Sequence, residues 1–175
     1  MRKLFVLLAM VILLPYGCAS IMINPNEPGT HLIQGVKQVV QGSMQCGPAS
    51  MTMVLNYYGI KVSLNTVDKI RGSYGTPCWA MERYPAKYSL TTRVMYSDDP
   101  EELKSYLKKD IPLIIRRICL WNPANCHYVV LIGYTSKGFI ILCPKEGRYV
   151  KSYKRFKNWE PCKSVGYPWT LVIYP

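Results

Sequence analysis

Cys46 and His127 are the two residues whose types and surroundings are best suited to chemistry. Cys46 lies two residues before Pro48, which we expect to begin a helix. The positive end of a helix lowers the pKa of a thiol, and a thiolate is the species that attacks an acyl carbon. His127 opens the β-rich run 127–134, and from a strand end an imidazole can take the thiol proton and later return it to a leaving amine. The pair therefore predicts acyl-enzyme chemistry.

Gln41 lies five residues ahead of Cys46. A side-chain amide at that place could donate a hydrogen bond to the oxyanion of a tetrahedral intermediate. The competing interpretations are plain: an inert buried thiol at Cys46, an ordinary strand histidine at His127 and a loop glutamine at Gln41.

The elements that must position these residues come in a simple order, with helices first and strands last. Such an order predicts an α+β domain with N-terminal helices packed on a C-terminal antiparallel sheet. The helices are expected at 48–58, 65–71, 79–88 and from Asp98 to about Lys109, and the strands at 91–96, 111–119, 127–134, 138–143 and 169–174.

Three segments together resemble the double-glycine leader peptidases, a family of papain-like cysteine peptidases that process bacteriocins. They are 41–49, which contains Cys46, then 56–59 (NYYG) and 127–134. The resemblance extends over residues 36–175, and 169–175 is similar to the final strand of free-standing relatives. It implies a peptide or protein substrate, cleavage after small residues such as Gly-Gly, no cofactor and no metal. It also implies Cys46 as nucleophile, His127 as base and Gln41 as oxyanion donor.

The third member of the family's catalytic group is replaced in this chain. In the family an Asp-Pro follows the histidine strand, and its carboxylate orients the imidazole. The matching positions here are Cys143 and Pro144, and a thiol is a weak acceptor that carries no fixed charge. Glu146, Asn122 and Asn125 are candidate substitutes, although none of them matches the family position.

Three functions remain open from the sequence. The first is an exported cysteine peptidase, and the second is a catalytically degenerate relative that binds peptides, which Cys143 favours. The third is a hydrolase of cell-wall peptides or side-chain amides. The sequence contains neither a nucleotide-binding loop nor a bundle of membrane spans, so an exporter that works with it would be a separate protein. The net charge of +12 favours anionic partners, but no nucleic-acid-binding motif is present.

Residues 1–18 have the character of a secretory signal. Two cations precede an apolar run at 4–14, which is too short to span a bilayer. Gly17 before Cys18 resembles a bacterial lipoprotein cleavage site, with Cys18 as the lipidated residue, although Pro15 stands where that site has leucine. The alternative is ordinary cleavage after Ala19. We expect a membrane-anchored protein of the cell envelope, in the outer membrane if the organism is Gram-negative.

Residues 19–35 are rich in Pro, Gly and Asn, which predicts a linker with His31 solvated, followed by the domain at 36–175.

In an oxidising compartment the remaining cysteines can form disulfides. Cys119 and Cys126 flank a predicted hairpin loop and are the favoured pair, and Cys78 with Cys162 is a further candidate pair. A zinc site is disfavoured because no C-x-x-C spacing exists.

Overall fold

The computed structural model describes residues 23–119, 122–161 and 166–175, and at 119 and 122–125 it describes the backbone alone. The predicted signal segment 1–18, with its lipidation residue Cys18, lies outside the described residues. Within the described ranges, no helix has both the length and the apolar character needed to cross a bilayer.

Helices and strands follow one another in the predicted order, with additions at both ends. The helices are α1 (Cys46–Tyr57), α2 (Leu64–Val67), α3 (Cys78–Arg83), α4 (Pro100–Leu107) and α5 (Tyr153–Lys157), with short 3-10 turns at Asp68–Ile70 and Tyr84–Tyr88. The strands are β1 (His31–Leu32), β2 (Thr91–Met95), β3 (Leu113–Cys119), β4 (Asn122–Tyr134), β5 (Gly138–Cys143), β6 (Gly147–Ser152) and β7 (Trp169–Tyr174).

The strands form one antiparallel sheet in the order β2-β7-β3-β4-β5-β6, and β1 pairs with the far end of β4. Strands β4 and β5 are neighbours, with Val130 opposite Leu142. This register brings the middle of β4 beside the end of β5, where Cys143 lies; His127 therefore lies inside β4, whereas the sequence had predicted it at the start of the strand. The mixture of helices and an antiparallel sheet confirms the predicted α+β class.

Helix α1 is a core helix, in which every residue from Gly47 to Leu55 is buried. Its apolar side chains contact β4, and each fully buried Leu or Met stabilises the fold by roughly 1.5–3 kcal/mol. The hydroxyl of Thr52 donates to the Pro48 carbonyl oxygen at 2.8 Å, so this polar group is satisfied inside the helix. The helix begins at Cys46, two residues earlier than predicted, so Pro48 is its third residue.

The predicted linker is wrong over its last residues, because they form part of the fold. His31 and Leu32 pair with Tyr134 and Gly133 of β4, and Ile33 behind them is buried. His31 is only partly exposed and has two partners: its Nε2 lies 3.0 Å from Asp110 Oδ1, and its ring stacks on Tyr134 at 5.7 Å. A strand of two residues is too short to show an alternating hydrophobic pattern in the sequence. The prediction of a linker therefore depended on Pro and Gly content alone, and it was wrong for these residues.

Substitution of Gly133 tests the pairing of β1 with β4. A Cβ at Gly133 would collide with the backbone of His31 and Leu32, and its φ of +156° is one that other residues rarely adopt. We expect Gly133→Ala to lower the free energy of unfolding by about 3 kcal/mol, because two paired backbones must separate.

Gly59→Ala is the matched control for that substitution. Gly59 has φ +81°, but a Cβ added there would meet no atom within 4 Å, so only the backbone strain of about 1 kcal/mol applies. Urea unfolding of both variants measures the difference. Equal losses in the two variants would contradict the packing assigned to β1.

Candidate active site

A tight turn positions Cys46 at the start of α1. The backbone N–H of Gly42 donates to Gln45 Oε1 at 2.9 Å, and Met44 has φ +60°. The first helical bond, from the Ala49 N–H to the Gln45 carbonyl oxygen, is 2.8 Å long. Cys46 is therefore half-buried at the N-terminal end of a twelve-residue helix, whose first-turn N–H groups have no carbonyl partner within the helix.

Two hydrogen bonds attach the segment ahead of α1 to the turn that follows β5. The Gln41 N–H donates to the Pro144 carbonyl oxygen at 3.1 Å, and Gln38 Nε2 donates to the Cys143 carbonyl oxygen, also at 3.1 Å. We call residues 38–41 the strap. Because the strap leads directly into the Cys46 turn, it couples the position of the cysteine to the strand end that carries Cys143.

His127 and Cys143 are in direct contact. His127 Nε2 lies 3.2 Å from Cys143 Sγ, and both side chains are buried, with the histidine 6 % exposed and the cysteine fully covered. Cys143 therefore occupies the place beside the imidazole that the family resemblance assigned to the missing carboxylate. Glu146 does not replace it at this contact, and the side chains of Asn122 and Asn125 lie outside the described residues.

The sulfur of Cys143 is also surrounded by backbone donors. The N–H groups of Lys145 and Glu146 each point at Cys143 Sγ from 3.4 Å. Burial raises the pKa of the Cys143 thiol, these two N–H groups oppose the rise, and negative charge on Glu146 or Cys46 adds to it. The sulfur thus has acceptor geometry similar to that of a carboxylate, but it remains neutral over a wider pH range.

His127 is held as a neutral imidazole at neutral pH. Burial lowers its pKa to about 4, and the positive charge of Lys145 contributes to the same shift. A neutral imidazole carries one N–H and one lone pair, so its chemistry depends on which nitrogen is protonated.

The predicted site residues are therefore brought together only in part. Cys46 lies close enough to Cys143 to influence its ionisation, but hydrogen-bond contact between Cys46 Sγ and the His127 ring stays a prediction. Gln41 lies against Pro144 as part of the strap, but its side-chain Nε2 donates to the Gly42 carbonyl oxygen at 3.2 Å. That bond uses one of the two N–H groups of the Gln41 amide.

A second polar cluster next to the site was not predicted. Cys78 Sγ accepts a hydrogen bond from Arg116 Nη1 at 3.2 Å and lies 3.5 Å from the Tyr128 hydroxyl, which donates to the Thr76 carbonyl oxygen at 2.9 Å. The Thr76 side chain in turn lies directly against Gly47 of α1. The only sequence signal was that Arg116 and Tyr128 fall on neighbouring predicted strands, where they face each other.

The cysteines agree with the disulfide predictions in part. Cys126 is disulfide-bonded, but the bridge to Cys119 stays a prediction because the side chain of Cys119 is not described; in the backbone register Cys126 is opposite Ile118. The pairing of Cys78 with Cys162 is wrong, since Cys78 is a free thiol in contact with Arg116.

Among the described residues, no group of three or more His, Cys, Asp or Glu side chains could hold a metal ion.

Comparison with known families decides which fold these contacts belong to. The Peptidase C39 family matches residues 36–161, which is most of the chain. The chain belongs to the Peptidase C39 family. The predicted relationship to double-glycine leader peptidases is thereby confirmed, and the family supports a cysteine peptidase.

Solved structures of C39 domains have the same fold. A double-glycine-motif protease from an AMS/PCAT transporter, solved in complex with the leader peptide, aligns with a TM-score of 0.63 and 26% identity, covering 83% of this chain and 98% of its own. The peptidase domain of Streptococcus ComA, a bifunctional ABC transporter of a quorum-sensing pathway, aligns with a TM-score of 0.67 and 23% identity, covering 81% and 99%. These alignments confirm the papain-like fold of the C39 peptidases.

A curated relative shows how much of a larger protein this chain matches. LagD of Lactococcus lactis subsp. lactis, the lactococcin-G-processing and transport ATP-binding protein, is 24% identical over 122 residues. That alignment covers 68% of this chain but only 17% of LagD. The chain therefore spans only a small part of the length of LagD.

The pKa of His127 leads to a prediction about acid stability. The unfolded chain takes up a proton on this histidine near pH 6.5, whereas the folded chain resists protonation until about pH 4. The unfolded state binds more protons between these values, so stability falls as the pH drops through that window. We expect wild-type protein to lose up to about 3 kcal/mol more than His127→Gln between pH 7 and pH 4.

Urea unfolding at a series of pH values measures this difference. Lys109→Gln, an exposed charge change that leaves His127 in place, should follow the wild-type slope. If His127→Gln and wild type lose stability in parallel, the imidazole is not buried as described.

Proposed function

We propose that the protein is an exported cysteine peptidase in which Cys46 is the nucleophile and His127 is the base. The observation that carries this proposal is the 3.2 Å contact between His127 Nε2 and Cys143 Sγ. It gives the imidazole an orienting partner at the family's third position, although the residue there is not an aspartate.

The direction of that hydrogen bond decides the chemistry. Cys143 Sγ already faces two backbone N–H donors, which favours its use as an acceptor from a third donor, the Nε2–H of His127. The lone pair of the neutral imidazole is then on Nδ1, the nitrogen that would accept a proton from Cys46. Cys143 is a positioning residue in this scheme, since it sets the tautomer of the base without touching the substrate.

The reaction follows from these positions. Nδ1 takes the proton of the Cys46 thiol as the sulfur bonds to the scissile carbonyl carbon, whose π electrons move to the oxygen. Collapse of this intermediate breaks the C–N bond, and Nδ1–H protonates the departing amine. Water then gives its proton to Nδ1 and attacks the thioester; loss of the Cys46 sulfur, which regains the proton, releases the acid.

The oxyanion would develop beside the start of α1. Backbone N–H groups of the first helical turn have no carbonyl partner within the helix, so they are suited to stabilise negative charge. The second N–H of the Gln41 amide can add a donor, because the bond to the Gly42 carbonyl oxygen uses only one of the two. Hydrogen bonds of this kind often form only when substrate is bound.

One observation favours a second function, a peptide-binding relative without catalysis. Because burial keeps Cys143 a neutral thiol, its S–H is able to donate to His127 Nε2. The proton of the ring would then be on Nδ1, and the base would have no lone pair facing Cys46. The two functions therefore differ in the direction of one hydrogen bond.

Substitutions at Cys143 separate the two functions. With a synthetic peptide that contains Gly-Gly at the scissile position, we expect wild type to turn over, and Cys143→Asp to be at least as active. We expect Cys143→Ala to lose about 100-fold in kcat with little change in KM, because orientation of the imidazole is lost. Measured cleavage rates and thermal melts of each variant provide the comparison.

Cys46→Ala sets the background rate in that experiment, and Cys78→Ala controls for loss of another free thiol. Activity that appears only in Cys143→Asp, with wild type and Cys143→Ala both at background, would support the degenerate relative and rule out the catalytic proposal.

We also propose that the mature chain is attached to a membrane through a lipid on Cys18, in the cell envelope, and that any exporter it serves is a separate protein. The signal-like segment 1–18 supports the location. The C39 relatives named above include domains of transporters, which supports the exporter partner. The substrate would be a peptide or protein that passes through the same envelope.

Cys18→Ala tests the anchor. Expressed in a bacterium, the wild-type chain should sediment with membranes, and the variant should appear in the soluble fraction or remain unprocessed, because a single signal segment is too short to hold it stably. Cell fractionation followed by mass spectrometry of the mature N-terminus measures both outcomes. An unmodified mature N-terminus after Ala19 in wild type would contradict lipidation.

A further inference from the structure

A cluster of cations lies at one edge of the sheet, on the outermost strand β6 and on α5. Residues 147–159 contain no acidic side chain and five cationic ones, which are Arg148, Lys151, Lys154, Arg155 and Lys157. A sixth cation, Lys137, is in the turn that precedes β5, and its carbonyl oxygen accepts a hydrogen bond from the Tyr153 N–H at 3.3 Å. We call the surface formed by Lys137, Lys151 and the three cations of α5 the basic face.

The basic face presents its charges to solvent. Four of its five side chains are exposed, namely Lys137, Lys154, Arg155 and Lys157. None of the five forms an ion pair within the part of the chain that the structure describes. Burial lowers the pKa of Lys151, negative charge on Glu146 opposes the shift, and the positive charge of Arg155 adds to it. Like charges held this close favour an anionic partner.

The cations of α5 are positioned by the packing of this short helix. Phe156 is buried against Phe139 of β5, with ring centres 4.6 Å apart, and Ser152 caps the helix by accepting from the Arg155 N–H at 3.4 Å. Burial of Phe156 leaves the three cations on the solvent side. Cations on an edge strand prevent it from pairing with another chain, which accounts for those of β6. It does not account for three cations on a helix.

The proposed lipid anchor joins the fold next to this surface. Gly29 is packed against Ser136, since a Cβ built on Gly29 would lie 3.7 Å from the Ser136 Cβ, and Ser136 directly precedes Lys137. Residues 19–28 separate Gly29 from Cys18, and a chain of that length spans at most about 40 Å. A lipid on Cys18 would therefore keep this end of the sheet close to a bilayer.

We propose that the basic face binds the anionic headgroups of phospholipids in the membrane to which the chain is attached, and thereby orients the domain on that membrane. The inference rests on the anchor proposed above and adds a second, reversible contact to it. A lipid chain and a basic surface together hold a protein on a membrane more firmly than either alone. Each Lys or Arg near an anionic surface adds to the binding.

The aromatic residues of this region favour lipid headgroups over nucleic acid. Single-stranded nucleic acids bind where their bases can stack on exposed aromatic rings. In residues 137–159, all of which the structure describes, Tyr149 and Tyr153 are only partly exposed and every other aromatic ring is buried. The Trp159 ring is covered by Lys151, whose Nζ lies 4.1 Å from its centre. Headgroup binding needs only the charges.

Vesicles of two compositions test the basic face separately from the lipid. The full chain carrying Cys18→Ala is mixed with phosphatidylglycerol vesicles and with phosphatidylcholine vesicles, so that any contact made by the apolar run 4–14 contributes to both. We expect the partition coefficient measured by sedimentation to be about 100-fold higher for phosphatidylglycerol at low salt. The preference should shrink as salt is added, because exposed charges are screened.

Three substitutions on α5 remove its charge, and three others serve as a matched control. Lys154→Gln, Arg155→Gln and Lys157→Gln together should reduce the preference for phosphatidylglycerol to about tenfold or less. Lys61→Gln, Lys69→Gln and Lys87→Gln remove the same charge from exposed positions among the N-terminal helices and should preserve it. Equal loss in both triple variants, or no preference for phosphatidylglycerol in the parent chain, would overturn the proposal. Binding of a single-stranded oligonucleotide through the α5 cations, without that preference, would also overturn it.

Amine labelling of the wild-type chain on membranes distinguishes this inference from the anchor. A membrane-impermeant acetylating reagent should modify Lys154 and Lys157 several-fold more slowly on membranes than in detergent solution, with no such difference at Lys61 and Lys69. If the lipidated chain shows no protection of the α5 lysines, the anchor stands and the basic-face proposal fails. If wild type carries no lipid but the Cys18→Ala chain keeps a phosphatidylglycerol preference that depends on α5, the basic face stands and the anchor fails.

Discussion

The buried contact between an imidazole and a sulfur is the constraint on which the rest of this site depends. His127 and Cys143 lie on neighbouring antiparallel strands, and their 3.2 Å approach follows from the register of β4 and β5. The strap then hydrogen-bonds to Cys143 and Pro144, so that the turn leading into α1 is fixed to the same strand end. Strand pairing, strap and helix start therefore form one unit.

Sulfur in place of a carboxylate changes the electrostatics more than the geometry. A buried carboxylate would keep a negative charge beside the ring and stabilise an imidazolium, whereas the buried Cys143 thiol is neutral and its pKa is raised. Burial and Lys145 also disfavour the charged form of His127. At neutral pH both His127 and Cys143 are therefore neutral. The direction of the hydrogen bond between them, and not a fixed negative charge, then determines which ring nitrogen of His127 is protonated.

Local patterns in the sequence were sufficient for part of this arrangement. The Cys46 motif and the β-rich run that contains His127 predicted two site residues, and the resemblance to the double-glycine leader peptidases predicted Cys143 at the third position. The existence of α4 was also predicted, with each end about two residues too far out, and Asp99 caps the helix through the N–H groups of Glu101 and Glu102.

Contacts between distant, weakly patterned segments were beyond sequence reasoning. β1 pairs only two residues, and α5 buries a single side chain, Phe156, against Phe139. The contact of Cys78 with Arg116 depends on how α3 packs on the sheet, for which no local signal exists. The wrong disulfide partner for Cys78 has the same origin, because cysteine counting contains no distances.

Nitrogen NMR of the His127 ring is the most direct measurement of the central claim, which is that the imidazole donates to Cys143 and keeps its lone pair toward Cys46. In ¹⁵N-labelled protein at neutral pH, with His127→Gln used to assign the signals, we expect a protonated Nε2 and an unprotonated Nδ1. A protonated Nδ1 with an unprotonated Nε2 would show that Cys143 donates its thiol proton to the ring, and it would contradict the account.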